Sequence, residues 1–123
     1  MESYNPDNVP EPGEWLAMDE GVRIALIEEY HEAEGVDLPS PTMHAAIHAT
    51  VENQLALGIA EVDDAMNRML NEGLDRHDAL HAIGSVLAEH MYNLLKKGAS
   101  GDDPHAAYHA ALKELTAKKW MSS

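Results

Sequence analysis

Apolar residues recur along this chain at intervals of three and four rather than at alternate positions, the spacing of helices that each bury one face. The pattern predicts a first helix that begins near Trp15 or Asp19 and runs to about Glu34; Gly21 weakens its start and Gly35 stops it. Val36 to Pro41 reads as a turn, with Ser40 as an N-cap and Pro41 at the first helical position of a second helix. That helix runs from about Thr42 to Leu57 and ends at Gly58; a short third covers about Val62 to Glu72 and ends at Gly73. Asp75 caps a long fourth helix reaching about Lys97, where Lys96, Lys97 and Gly98 suit a C-terminus. After a loop over Ala99 to Asp103, Asp103-Pro104 opens a fifth helix to about Lys118. Neither a two-residue period nor an internal repeat is visible. Short connections imply antiparallel neighbours, so the expected fold is an all-α, up-down helical bundle of about five helices, four long and one short. The expected organisation is an irregular arm over residues 1–13, one bundle domain over 14–119 and a tail over 120–123.

Composition narrows the functional classes. The chain has 123 residues, no cysteine and no phenylalanine, with alanine, leucine and methionine plentiful. That mix favours helices and an aliphatic core, and excludes disulfides, thiolate metal sites and a cysteine nucleophile. The amino terminus lacks the basic and apolar regions of a signal peptide, and no run is long enough to span a membrane. A cytoplasmic protein is the default expectation. With 22 acidic against 8 basic residues the formal net charge is −14. Nucleic acid and anionic membrane surfaces are therefore unsuitable partners, whereas a cation meets a favourable field. A homodimer is compatible with the apolar positions left over on the first and fifth helices.

The histidines carry the candidate chemistry. Of eight, six form pairs at i, i+4: His44/His48, His77/His81 and His105/His109. Random placement gives about half of one such pair, taking one helical turn as the relevant spacing. Residues four apart lie on one helix face about 6 Å apart along the axis, so two imidazoles can converge on one metal ion. Glu52 continues the His44/His48 stripe, and Glu28-x-x-His31 has the spacing of helical carboxylate metal sites. In an up-down bundle, Glu28, His31, His44, His48, Glu52, His77 and His81 fall in one layer contributed by three helices. His105 and His109 fall at the other end, roughly 24 Å of helix away, nearer His90. Packing so many imidazoles together without a metal is costly, because buried polar atoms need partners. With imidazole and carboxylate donors, zinc, iron and manganese are all suitable ions, in a mononuclear or binuclear site.

Three motifs, Glu29-Tyr30-His31, His44-x3-His48-x3-Glu52-x-Gln54 and His77-x-Ala79-x-His81-x-Ile83-x3-Leu87-x-Glu89, resemble those of an uncharacterised bacterial family, domain of unknown function 1841. The resemblance covers residues 22–95. It implies that Tyr30, Gln54 and Glu89 belong with the site, Gln54 and Glu89 as partners that orient an imidazole through its free N–H. It implies no particular reaction. The proline-rich arm and the His105/His109 pair depart from the family pattern.

The sequence supports a metal-binding helical protein without selecting a chemistry: it has no phosphate-binding glycine loop and no nucleophile elbow. Two non-catalytic alternatives stand beside it. A metal can staple a weak core within an interaction or regulatory module, or metal-free histidines can form a pH-responsive interface.

Overall fold

Helix ends fall largely where the glycine, aspartate and proline signals put them. A computed structural model describes residues 3–35, 40–97 and 105–122. Among these are seven helices: α1 (Pro12–Ala17), α2 (Glu20–Ala33), α3 (Pro41–Ala56), α4 (Ala60–Asn71), α5 (Arg76–Lys97), α6 (Ala106–Glu114) and α7 (Ala117–Ser122). The described residues contain no strand. Gly58 and Gly73, at φ +73° and +103°, end α3 and α4 in the left-handed conformation that glycine adopts without a Cβ penalty. Asp75 caps α5, its Oδ1 accepting from the Asp78 N–H at 2.8 Å. Pro41 opens α3 as expected, but Ser40 makes no side-chain capping bond. The residues expected to form most of the first turn, the Ala99–Asp103 loop and the Asp103-Pro104 helix opening lie outside the described residues.

The expectation of about five helices is corrected to seven, because the first and fifth are each divided. Glu11 caps a separate α1 by accepting from the Gly13 and Glu14 N–H groups, and Met18 then turns extended. The Arg23 guanidinium on α2 donates to the carbonyls of Met18 and Leu16 and also reaches Asn53 Oδ1 at 2.7 Å. Asn53 accepts Trp15 Nε1–H too, so α1 is tied to α3 rather than continued into α2. At the other end Leu115 is extended, and Arg68 of α4 donates to the carbonyls of Leu112 and Leu115. Glu72 accepts the Ala117 N–H and Thr116 caps the new start at Lys119. Carbonyls and amides that one continuous helix would pair internally are thus satisfied by the side chains of Arg68, Glu72 and Thr116.

The core has two parts. Tyr4, Trp15, Leu26, Ile27, Ala45 and Ala49 join the amino-terminal arm, α1, α2 and α3. A larger group centred on Val51, Met69, Leu80, Ile83, Tyr108 and Leu112 joins α3 to α6. α3 belongs to both, and α5 approaches it closely: a Cβ on Gly84 would lie 3.3 Å from Ile47 Cγ2. The arm is not a loose extension, since Tyr4 and Pro6 are buried. The Arg76 guanidinium donates to the Pro6 carbonyl at 2.9 Å. None of the helices is long and apolar enough to cross a membrane, among the described residues.

Candidate metal centre

The stripe spacing of the histidines becomes a three-dimensional cluster where α2, α3 and α5 meet. His31 comes from the last turn of α2, His44 and His48 from successive turns of α3, and His77 and His81 from the first turns of α5. Each ring contacts at least three of the others, with centroid separations from 4.3 Å (His77/His81) to 6.0 Å (His44/His48). One nitrogen from each of His31, His44, His48 and His81 lies within 4.8 Å of the others.

Hydrogen bonding determines which nitrogens are available. His31 Nδ1 stands 2.9 Å from the Ile27 carbonyl, which can only accept, so Nδ1 carries the proton. Its Nε2 is then a bare lone pair, buried and without a hydrogen-bond partner. His48 is held the opposite way round. Tyr4 has one hydroxyl proton and donates it to Glu52 Oε2, so its oxygen accepts from His48 Nε2–H at 3.2 Å. The His48 Nδ1 lone pair is left buried and unpartnered. His44 Nε2 and His81 Nε2 face one another at 3.2 Å. Two nitrogens bound to one tetrahedral zinc ion at its usual bond length lie about 3.3 Å apart. Fixing one ring nitrogen through a hydrogen bond while the other faces a cavity is the usual support of a metal-bound imidazole.

Burial favours neutral rings. It lowers the pKa of His44, His48, His77 and His81, and the neighbouring imidazoles lower all four further; Asp7, Asp75 and Asp78 work in the opposite direction at His77, as does Asp75 at His81. His81 is brought down to about 4 and His48 to about 2. Both are therefore uncharged at neutral pH, each keeping one ring nitrogen with a lone pair.

The other predicted site residues take different places. His77 adjoins the four-nitrogen group, and its buried Nε2 also lacks a partner. Glu52 is in the layer, but both its oxygens bind Arg76, each at 2.7 Å, in a buried ion pair (Glu52 2 % and Arg76 8 % exposed). Glu28 is half-buried on α2 and lies outside the four-nitrogen group. Tyr30 packs its ring edge-on against His31 and His77. Gln54 instead accepts the Tyr108 hydroxyl at 2.7 Å, and Glu89 is exposed on α5. His90 stacks on Tyr108 near His105, while His109 pairs with Glu61 at 3.8 Å. Together they do not form a group of three or more candidate ligands among the described residues.

Sequence reasoning missed Tyr4 and Arg76. Tyr4 stands in the proline-rich arm, and Arg76 immediately before a histidine at a helix start, so neither has a periodic signal. Burial and the Glu52 carboxylate push the Tyr4 pKa up, keeping it a neutral donor. Burial opposes the Arg76 charge, but its bonds to Glu52 outweigh that and raise its pKa. Arg76, Glu52, Tyr4 and His48 form a continuous chain of hydrogen bonds into the cluster. Comparison with protein-family models, curated proteins and solved structures finds no match.

Proposed function

We propose that this protein binds a divalent transition-metal ion through His31, His44, His48 and His81, with His77 as the adjacent fifth imidazole. The observation that carries this is the convergence of bare, buried ring nitrogens whose opposite nitrogens are already committed: His31 to a backbone carbonyl, His48 to Tyr4. Leaving such atoms unpaired costs about 1–3 kcal/mol each, and a metal ion satisfies several at once. Glu52 supports His48 through Tyr4 and is not itself a ligand in this reading. The remaining donors are all imidazole, which suits zinc or iron better than manganese.

Metal analysis by plasma mass spectrometry on purified, untagged protein tests the proposal. About one equivalent of zinc or iron is expected, and a His48→Ala/His81→Ala variant should lose it. Wild-type protein that stays empty after reconstitution with each metal rules the proposal out.

A further inference from the structure

A cavity of about 520 Å³ opens beside the histidines, between α3 and α5 and against Trp120 of α7. Its volume is in the range of sites that enclose a small organic molecule. His44, His48 and His81 form one side, and Met43, Ile47, Leu80 and Trp120 supply apolar walls. Among the described residues no lysine, arginine, aspartate or glutamate lines it, although 30 of the 123 residues are charged. Met43 is 59 % exposed, an apolar side chain left facing solvent at this cavity.

Three of the four proposed ligands line this cavity, while His31 does not, so an ion held by the four nitrogens has its accessible side here. Imidazole ligands are neutral and leave the ion its full charge, which attracts an oxygen donor at that side. Beyond the ion, the described walls offer a molecule mainly apolar surface, with the hydroxyls of Ser40 and Ser85 and the indole of Trp120. The Ser85 hydroxyl already donates to the Ala82 carbonyl at 2.7 Å, which leaves its oxygen only as an acceptor.

We propose that this cavity is a binding site for a small molecule with a metal-coordinating oxygen head, such as a carboxylate, and an aliphatic tail. The head adds a fifth donor to the ion, and the tail lies against Met43, Ile47, Leu80 and Trp120. The inference rests on the metal reading above and adds the chemical class of the ligand.

Straight-chain carboxylates from acetate to octanoate, titrated into cobalt(II)-loaded protein, separate the two. Cobalt content and its d–d spectrum report the ion; the change in that spectrum reports the head group. Affinity should rise about three- to fourfold per added methylene as the tail is buried. A Ser85→Leu/Ala88→Leu variant fills the cavity from exposed positions on α5. It should keep its cobalt spectrum and its response to acetate but lose the gain with chain length. Bound cobalt with equal affinity for acetate and octanoate, or with no response to either, overturns the ligand proposal and leaves the metal site standing. Protein that takes up no cobalt overturns both.

Discussion

Replacing Glu52 by alanine distinguishes a ligand from a structural support, because the two roles predict opposite pairs of results. The carboxylate is buried, accepts two hydrogen bonds from Arg76 and one from Tyr4, and lies outside the four-nitrogen group. Removing it strands the Arg76 guanidinium, leaving it, among the described residues, only neutral partners, the Pro6 carbonyl and the Tyr4 hydroxyl. Breaking a buried pair from one side costs about 3–5 kcal/mol, since the surviving charge is left without compensation. For a domain of this size that lowers Tm by roughly 10–20 °C, a large share of its total stability. The measurement is urea and thermal unfolding of metal-free protein by circular dichroism, with metal content determined separately in the cold. The expected result is a large loss of stability in Glu52→Ala, its partial recovery in Glu52→Gln/Arg76→Met, and retention of one metal equivalent wherever the protein is folded. An unchanged apo-protein stability accompanied by loss of metal would refute the reasoning and make Glu52 a ligand.

Tyr4→Phe removes the hydroxyl that orients His48 without removing the ring. Metal affinity should fall about 10- to 100-fold, measured by competition with a chromophoric chelator, and an unchanged affinity would detach Tyr4 from the site. Acidification of the metal-free protein should weaken it from about pH 6.5 downward. The folded-state pKa values of His48 and His81 are depressed, so the unfolded chain takes up protons first and stability is lost as pH falls towards about 4. Each such proton contributes a slope of up to about 1.4 kcal/mol per pH unit, and a His48→Gln/His81→Gln variant should show a shallower dependence between pH 6.5 and 5. Arg68→Met removes the donor shared by the Leu112 and Leu115 carbonyls. It should cost about 1–3 kcal/mol, with hydrogen exchange accelerated at Leu115 and Ala117; protection equal to wild type would show that Arg68 does not hold the α6–α7 break.

What the sequence reveals about this fold is what depends on neighbours a few residues away. Gly58, Gly73 and Asp75 act locally, and each ends or begins a helix as read. The histidine stripes are likewise local, and the direction of each helix places His31, His44, His48, His77 and His81 at one level. The divisions at Met18 and Leu115 were invisible because the groups that stabilise them, Arg23 with Asn53 and Arg68 with Glu72, are helix-surface residues until the fold brings carbonyls and amides to them. Glu52 illustrates the same limit at the site. Its stripe position predicts the layer correctly, but whether a buried carboxylate faces a metal or a guanidinium depends on Arg76, 24 residues later. Gln54 shares the helix but faces Tyr108, because two positions beyond Glu52 the α3 surface has turned by more than half a revolution.

α3 has its own consequence for the order in which the molecule is made. The α2–α3 hairpin contains His31, His44 and His48, and its contacts through Ile27, Ala45 and Ala49 need nothing that follows. A nascent chain that has emerged only this far already carries three of the four nitrogens, whereas the fourth waits for α5. Tyr4 can settle against His48 at that stage, but the anchor of the arm at Pro6 must await Arg76, 70 positions downstream. An ion captured early by the hairpin would hold it together through the synthesis of α4. The arrival of α5 would then close the site from the remaining side and lock the beginning of the chain in place.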